Sequence, residues 1–158
     1  FEVRPLTGTN AFMLKNSERS FCYSWPMNVL FICNGNVARS QEAEAFFNDL
    51  SDDDIATSAG INVKVGKPID PLVIEVMEED GYSLKNAERK FWDEAMIAKA
   101  GLIVSFKPEN ELPAELRESG KIRYWKVDDP QHQPIEFHRQ VRDEIKAKVK
   151  ELISELDG

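Results

Sequence analysis

A thiol and a guanidinium stand six positions apart, at Cys33 and Arg39, with Asn34-Gly35-Asn36-Val37-Ala38 between them and Ser40 directly behind. That spacing lets one loop bring both groups to a single oxyanion. A free cysteine is mostly thiol at neutral pH, but a helix N-terminus and a neighbouring cation favour the thiolate, which is the nucleophile. The backbone N–H groups of the same loop suit the oxygens of a tetrahedral oxyanion. Arg39 can hold two of those oxygens in a planar fork, which a lysine cannot do. Ser40 is placed to donate its hydroxyl to the sulfur and to cap the following helix. Attack of sulfur on phosphorus needs a proton donor for the departing alcohol. Asp129, before Pro130, is the candidate, with Asp128 adjoining it.

These groups need elements to position them. Val29-Leu30-Phe31-Ile32 is a continuous apolar run, which predicts a strand buried on both faces. Cys33–Asn36 stops that pattern with residues able to turn at positive φ. Ala43, Phe46, Phe47 and Leu50 then recur at helical spacing, so the loop joins a strand to a helix entered through Ser40. Further strands are predicted at 55–60, 101–106 and 122–127. Helices are predicted after Asp70-Pro71, across Asn86–Lys99, through Leu116, and along the stripe Phe137, Val141, Ile145, Val149, Leu152 and Leu156. Asp52-Asp53-Asp54 reads as a solvated turn or a helix-capping cluster rather than a metal site. Strands alternating with helices imply parallel pairing and a three-layer α/β/α sandwich. In such sheets the site lies beyond the carboxyl ends of the strands, where Cys33, Gly60, Phe106 and Asp128-Asp129 converge.

At 158 residues the chain is expected to be one domain, and its formal charge of −8 argues against a nucleic-acid partner. No apolar run reaches membrane-spanning length, and two cysteines make no disulfide framework, so a cytoplasmic protein is the expectation. No zinc pattern joins Cys22 and Cys33 to the two histidines, and no metal or cofactor is expected. Residues 1–26 show no clean period; they are expected to form an extension outside a domain spanning 27–158. His132 and His138 read as exposed residues, and Trp92 and Trp125 as core aromatics.

The loop Cys33-Asn34-Gly35-Asn36-Val37-Ala38-Arg39-Ser40 resembles the C-x-G-N-x-x-R-S pattern of the low-molecular-weight protein tyrosine phosphatases and of the arsenate reductases that share their fold. The resemblance extends to Ser58-Ala59-Gly60, to Gly66–Pro71, to the Gly101–Phe106 strand and to Asp129-Pro130. It implies a four-stranded parallel sheet with helices on both faces. It also implies that Cys33 forms a phosphocysteine, that Arg39 clamps the oxyanion, and that Asp129 is general acid and then base. By the same resemblance Asn36 holds the loop's strained geometry with Ser58 behind it, and Ser40 assists the thiolate.

The departures divide the family's two activities. Ala38 stands where members often carry a second loop cysteine, and no cysteine follows Cys33, so the intramolecular relay of thioredoxin-coupled arsenate reductases has no partner here. Gln131-His132-Gln133 replaces the aromatic residues that grip a phosphotyrosine ring, and Lys64 stands in the loop after Gly60. The spacing from Trp125 to Asp129-Pro130 and the start of the last helix look more like the reductase branch. The first expectation is therefore a metal-free phosphomonoester hydrolase acting on a phosphorylated protein or a small ester. An arsenate reductase using an external thiol or a glutaredoxin-like partner is the second, and a non-catalytic phosphate-binding module the third.

Overall fold

The computed structural model describes residues 26–158, and the expectation for the first 25 residues, Cys22 among them, lies outside the described part. Four parallel strands, β1 (Asn28–Cys33), β2 (Ile55–Gly60), β3 (Leu102–Ser105) and β4 (Ile122–Tyr124), lie in the order β2-β1-β3-β4. The connecting helices are α1 (Arg39–Leu50), α2 (Pro71–Glu79), α3 (Glu94–Lys99) and α4 (Ala114–Arg117), and α5 (Ile135–Asp157) closes the chain.

The central strand β1 explains its own apolar run. Val29, Phe31 and Cys33 face one layer with Phe46 and Phe47 of α1, Val73 and Met77 of α2, and the stripe of α5. Leu30 and Ile32 face the other, against Leu112, Leu116 and residues near α3. A strand covered on both faces has no polar side to offer, so alternation vanishes from its sequence. Phe31 sits at the centre of the larger layer, its ring centroid 6.1 Å from Phe47 and 5.8 Å from Trp125. Each such fully buried aromatic contributes roughly 2–3 kcal/mol of apolar burial.

Several local expectations change. The stretch before α3 is extended rather than helical, because Gly60 N–H donates to the Lys90 carbonyl (2.8 Å) and Trp92 N–H to the Gly60 carbonyl (3.2 Å). Pairing with the end of β2 takes those groups from a helix, and α3 starts only at Asp93, whose side chain caps Met96 N–H at 2.8 Å. The strand β4 stops at Tyr124. Asp54 is buried, not solvated, and accepts from Met27 N–H at 2.7 Å. His138 is fully buried on the inner face of α5, beside Val141 on the next turn, rather than exposed. Asp70 caps α2 through Leu72 N–H, with Pro71 at the first helical position, as its sequence predicts.

Candidate active site

The loop between β1 and α1 carries Cys33 at its start and Arg39 at its end. Cys33 is 3% exposed, and its Sγ lies 2.8 Å from Ser40 Oγ and accepts from Asn36 N–H at 3.3 Å. Ser40 Oγ already accepts from Asn36 Nδ2 at 2.8 Å, which leaves the serine hydrogen for the sulfur. The expectation that Ser40 also caps α1 does not hold. The N-cap is Ala38, no side chain caps the helix, and the serine hydroxyl is committed to Cys33 and Asn36. The backbone N–H groups of Gly35, Val37 and Ala38 donate to no acceptor among the described residues. Donors at the first turn of a helix carry its positive end and suit an oxyanion.

Asn36 is the hub. Its φ of 56° is left-handed, a conformation that asparagine tolerates better than most residues. Four hydrogen bonds hold its amide there. Nδ2 donates to Ser40 Oγ (2.8 Å) and Ser58 Oγ (3.0 Å); Oδ1 accepts from Gln41 Nε2 (2.9 Å) and Lys90 N–H (2.7 Å). Ser58 Oγ donates in turn to Glu44 Oε1 at 2.6 Å, and Lys90 Nζ sits 3.4 Å from that oxygen. Asn36 Nδ2 thus donates in two directions, through Ser58 to the Glu44 carboxylate and through Ser40 to the sulfur. With the amide's donors and acceptors all engaged, the strained φ is over-determined.

Arg39 is held by its outer edge. Nη1 donates to the Val127 carbonyl at 2.8 Å, and the guanidinium carbon lies 5.8 Å from the centre of the Phe106 ring. Nε and Nη2 make no hydrogen bond among the described residues, so the two-pronged edge that matches an oxyanion is free of one. Asp129 approaches from the loop after β4, its Oδ2 3.7 Å from Arg39 Nη2, while Oδ1 accepts from Gln131 N–H at 3.0 Å. Asp128 does not line the pocket. His132 is exposed and also lies away from it.

A pocket of about 420 Å³ opens over the loop, lined by Cys33, Asn34, Gly35, Val37, Ala38 and Arg39 below and by Lys64, Lys67, Arg89, Asp129 and Gln131 around the mouth, with Asn62. Among the described residues no aromatic side chain lines it. Gly60 meets the loop from behind. A Cβ there would lie 2.7 Å from the Asn34 carbonyl oxygen and 2.9 Å from Asn36 N, both backbone atoms. The glycine is needed for close approach. Gly60→Ala is expected to displace the loop and lower kcat/KM by about tenfold to a hundredfold, as small misplacements of catalytic groups do. Steady-state kinetics on an aryl phosphate checks this; unchanged kinetics would show that the loop tolerates the shift.

The structure brings Asn34, Gly35, Asn36, Val37, Ala38, Ser40 and Ser58 together around Cys33 and Arg39. Gln41, Glu44 and Lys67 escape prediction, and Arg89 and Lys90, which their sequence context reads as a solvated helix face, lie instead on the extended segment beside β2, with Arg89 in the pocket lining. Among the described residues no group of three or more His, Cys, Asp or Glu is clustered to hold a metal ion, and no helix is long and apolar enough to cross a membrane.

Comparison with known proteins agrees with this geometry. The family described as low molecular weight phosphotyrosine protein phosphatase matches residues 28–158. An arsenate reductase of Staphylococcus aureus (strain Newman) is 33% identical over 128 residues, spanning 80% of this chain and 95% of the relative. Among solved structures, a YwlE mutant from Bacillus subtilis superposes with a TM-score of 0.77 at 22% identity, over 84% of this chain and 99% of that one. The low molecular weight protein tyrosine phosphatase from T. tengcongensis gives a TM-score of 0.75 at 27% identity, over 82% and 99% respectively. With a strand–loop–helix cradle for an oxyanion and a match across nearly all its described length, the chain belongs to the low molecular weight phosphotyrosine protein phosphatase family.

Proposed function

We propose that the protein hydrolyses phosphomonoesters through a phosphocysteine on Cys33. The Cys33 thiolate attacks phosphorus, forming an S–P bond as the bond to the ester oxygen breaks. Arg39 and the loop N–H groups hold the three non-bridging oxygens, and Asp129 gives its proton to the departing alcohol. Water then attacks phosphorus, Asp129 takes back a proton, and the S–P bond breaks to release inorganic phosphate and the thiolate. The single observation that carries this reading is the placement of Asp129 Oδ2, 3.7 Å from Arg39 Nη2 on the wall of the pocket floored by Cys33. An acid bordering the clamp that holds the phosphoryl group is within reach of a leaving oxygen.

Asp129→Asn tests it. The first step is expected to slow by about a hundredfold or more with an alkyl or unactivated phenyl ester, and much less with a nitrophenyl ester, whose leaving oxygen needs no proton. Burst kinetics across a leaving-group series measures this. An equal effect across the series would remove the acid role from Asp129.

A second reading is favoured by the S. aureus relatives, which are named arsenate reductases. Here Cys33 would attack arsenate, forming an S–As bond as an As–O bond breaks and the protonated oxygen leaves as water, and an external thiol would then attack the Cys33 sulfur. Arsenite leaves with the two electrons as a mixed disulfide forms, and a second external thiol reduces it. An external thiol fits this reading because Cys33 has no second cysteine beside it among the described residues. Arsenate-dependent oxidation of a small thiol, with no turnover of any phosphoester, would establish this reading in place of the first.

A further inference from the structure

The mouth of the pocket has a charge pattern that phosphoryl transfer by itself does not require. Lys64, Lys67 and Arg89 line it alongside Arg39, against one carboxylate among the described residues, that of Asp129. Acidic side chains outnumber basic ones in the chain, 28 to 20, yet these cations gather at one mouth. Among the described residues Lys64, Lys67 and Arg89 have no carboxylate partner; other surface lysines lack one too, so it is their clustering beside Arg39 that sets the three apart.

The segments bearing these cations are tied to the catalytic loop. Ile61 N–H and Asn62 N–H both donate to the Asn34 carbonyl, at 3.0 and 2.8 Å, at the root of the loop that carries the lysines. The far end of that loop returns through Asp70 N–H to the Val37 carbonyl at 3.4 Å. Arg89 Nε donates to the Pro68 carbonyl at 3.0 Å, and Pro68 bridges Glu88. One edge of the guanidinium is thus fixed, and its terminal nitrogens make no hydrogen bond among the described residues. On a chain of net charge −8, which repels anions at long range, this rim is a local reversal of sign.

We propose that Lys64, Lys67 and Arg89 select the substrate, and that it is a phosphomonoester carrying a second anionic group close to the phosphate on the leaving-group side. The inference rests on the hydrolase reading above. Arg39 and the loop amides satisfy the phosphoryl group itself, so the rim cations are left for the remainder of the ligand. Lysines on flexible stems accept a carboxylate or a phosphate in several positions, and Arg89 supplies the fixed direction. The lining, with its cations and no aromatic side chain among the described residues, fits recognition by charge.

The test compares esters that differ only in that second charge. A phosphotyrosine peptide with two flanking glutamates is paired with its glutamine analogue, and 4-(carboxymethyl)phenyl phosphate with its carboxamide. Leaving-group acidity is nearly matched within each pair. The acidic member is expected to have about a tenfold higher kcat/KM, expressed in KM and lost at high salt, as a few partly exposed charge pairs produce. In Lys64→Gln/Lys67→Gln/Arg89→Gln the ratio should fall towards one. A preference in the peptide pair alone assigns the second anion to a protein substrate, and a preference in both assigns it to the ester itself. Turnover of all four with equal kcat/KM would overturn the inference and leave the hydrolase reading standing. If none is turned over, the hydrolase reading fails, and Kd values for the same pairs on Cys33→Ser decide the inference: a tenfold preference supports an anion-selecting rim, and equal affinities overturn it.

Discussion

Replacing Cys33 by serine is expected to lower turnover of every phosphoester by about four orders of magnitude or more while leaving the fold intact. Serine has the same shape with a shorter bond, and its oxygen can still accept from Asn36 N–H and Ser40, so the cradle survives. What it loses is nucleophilicity, since a hydroxyl in this position has no general base beside it. Neither Ser40 nor Asn36 can take its proton, because both are spent as donors, Asn36 to Ser40 and Ser58 and Ser40 to the atom at position 33. A pre-steady-state assay, with a thermal melt as the control, checks this. Activity within tenfold of the parent would mean that the sulfur is not the nucleophile.

The second large effect concerns stability. Glu42 lies in the first turn of α1, fully buried, with neither carboxylate oxygen hydrogen-bonded. Burial pushes its carboxyl up from 4.5 to about 8, against the opposing pull of Arg142 and Arg39 and with a smaller push from Asp70. The position near a helix N-terminus would favour the charge, but desolvation wins. The folded state therefore keeps a proton that the unfolded chain releases above about pH 4.5. The contribution of Glu42 to stability is highest at and below that value, falls as pH rises towards 8, and levels off once the folded form also ionises. By pH 7 the loss is roughly 3 kcal/mol, at about 1.4 kcal/mol for each pH unit climbed above the unfolded carboxyl's own pKa. Glu42→Gln keeps the shape and stays neutral, so it is expected to match the parent near pH 4 and to exceed it by roughly 3 kcal/mol at about pH 7–8. Urea midpoints at the two pH values measure this, and parallel curves for the two proteins would place the ionisation elsewhere.

The sheet and the nucleophile loop were legible in the sequence because each rests on contiguous residues. The run Val29–Ile32, the turn residues after it and the helical spacing from Ala43 place Cys33 and Arg39 at the two ends of one loop. The support behind that loop was not legible. Asn36 is held by Gln41, Ser58 and the Lys90 backbone, and Lys90 reaches it only because residues 90–92 pair with Gly60 instead of extending α3. Such pairing is decided by tertiary contact, which helix propensity does not register. Gly60 was visible as a turn, yet its reason is space for the Asn34 and Asn36 backbone. His138 and Asp54 look polar and surface-bound in sequence, and burial overrides that expectation for both.

The proposed chemistry turns on a covalent phosphoryl group carried by one sulfur, and the decisive measurement is to catch it. The protein mixed with a nitrophenyl phosphate, quenched under denaturing alkaline conditions within the first turnover and digested, should yield the peptide containing Cys33 heavier by one phosphoryl group. Asp129→Asn should accumulate more of that species, since the same carboxylate activates the water that removes it. An unmodified Cys33 peptide, in an enzyme shown to be turning over in the same mixture, would rule out the phosphocysteine route.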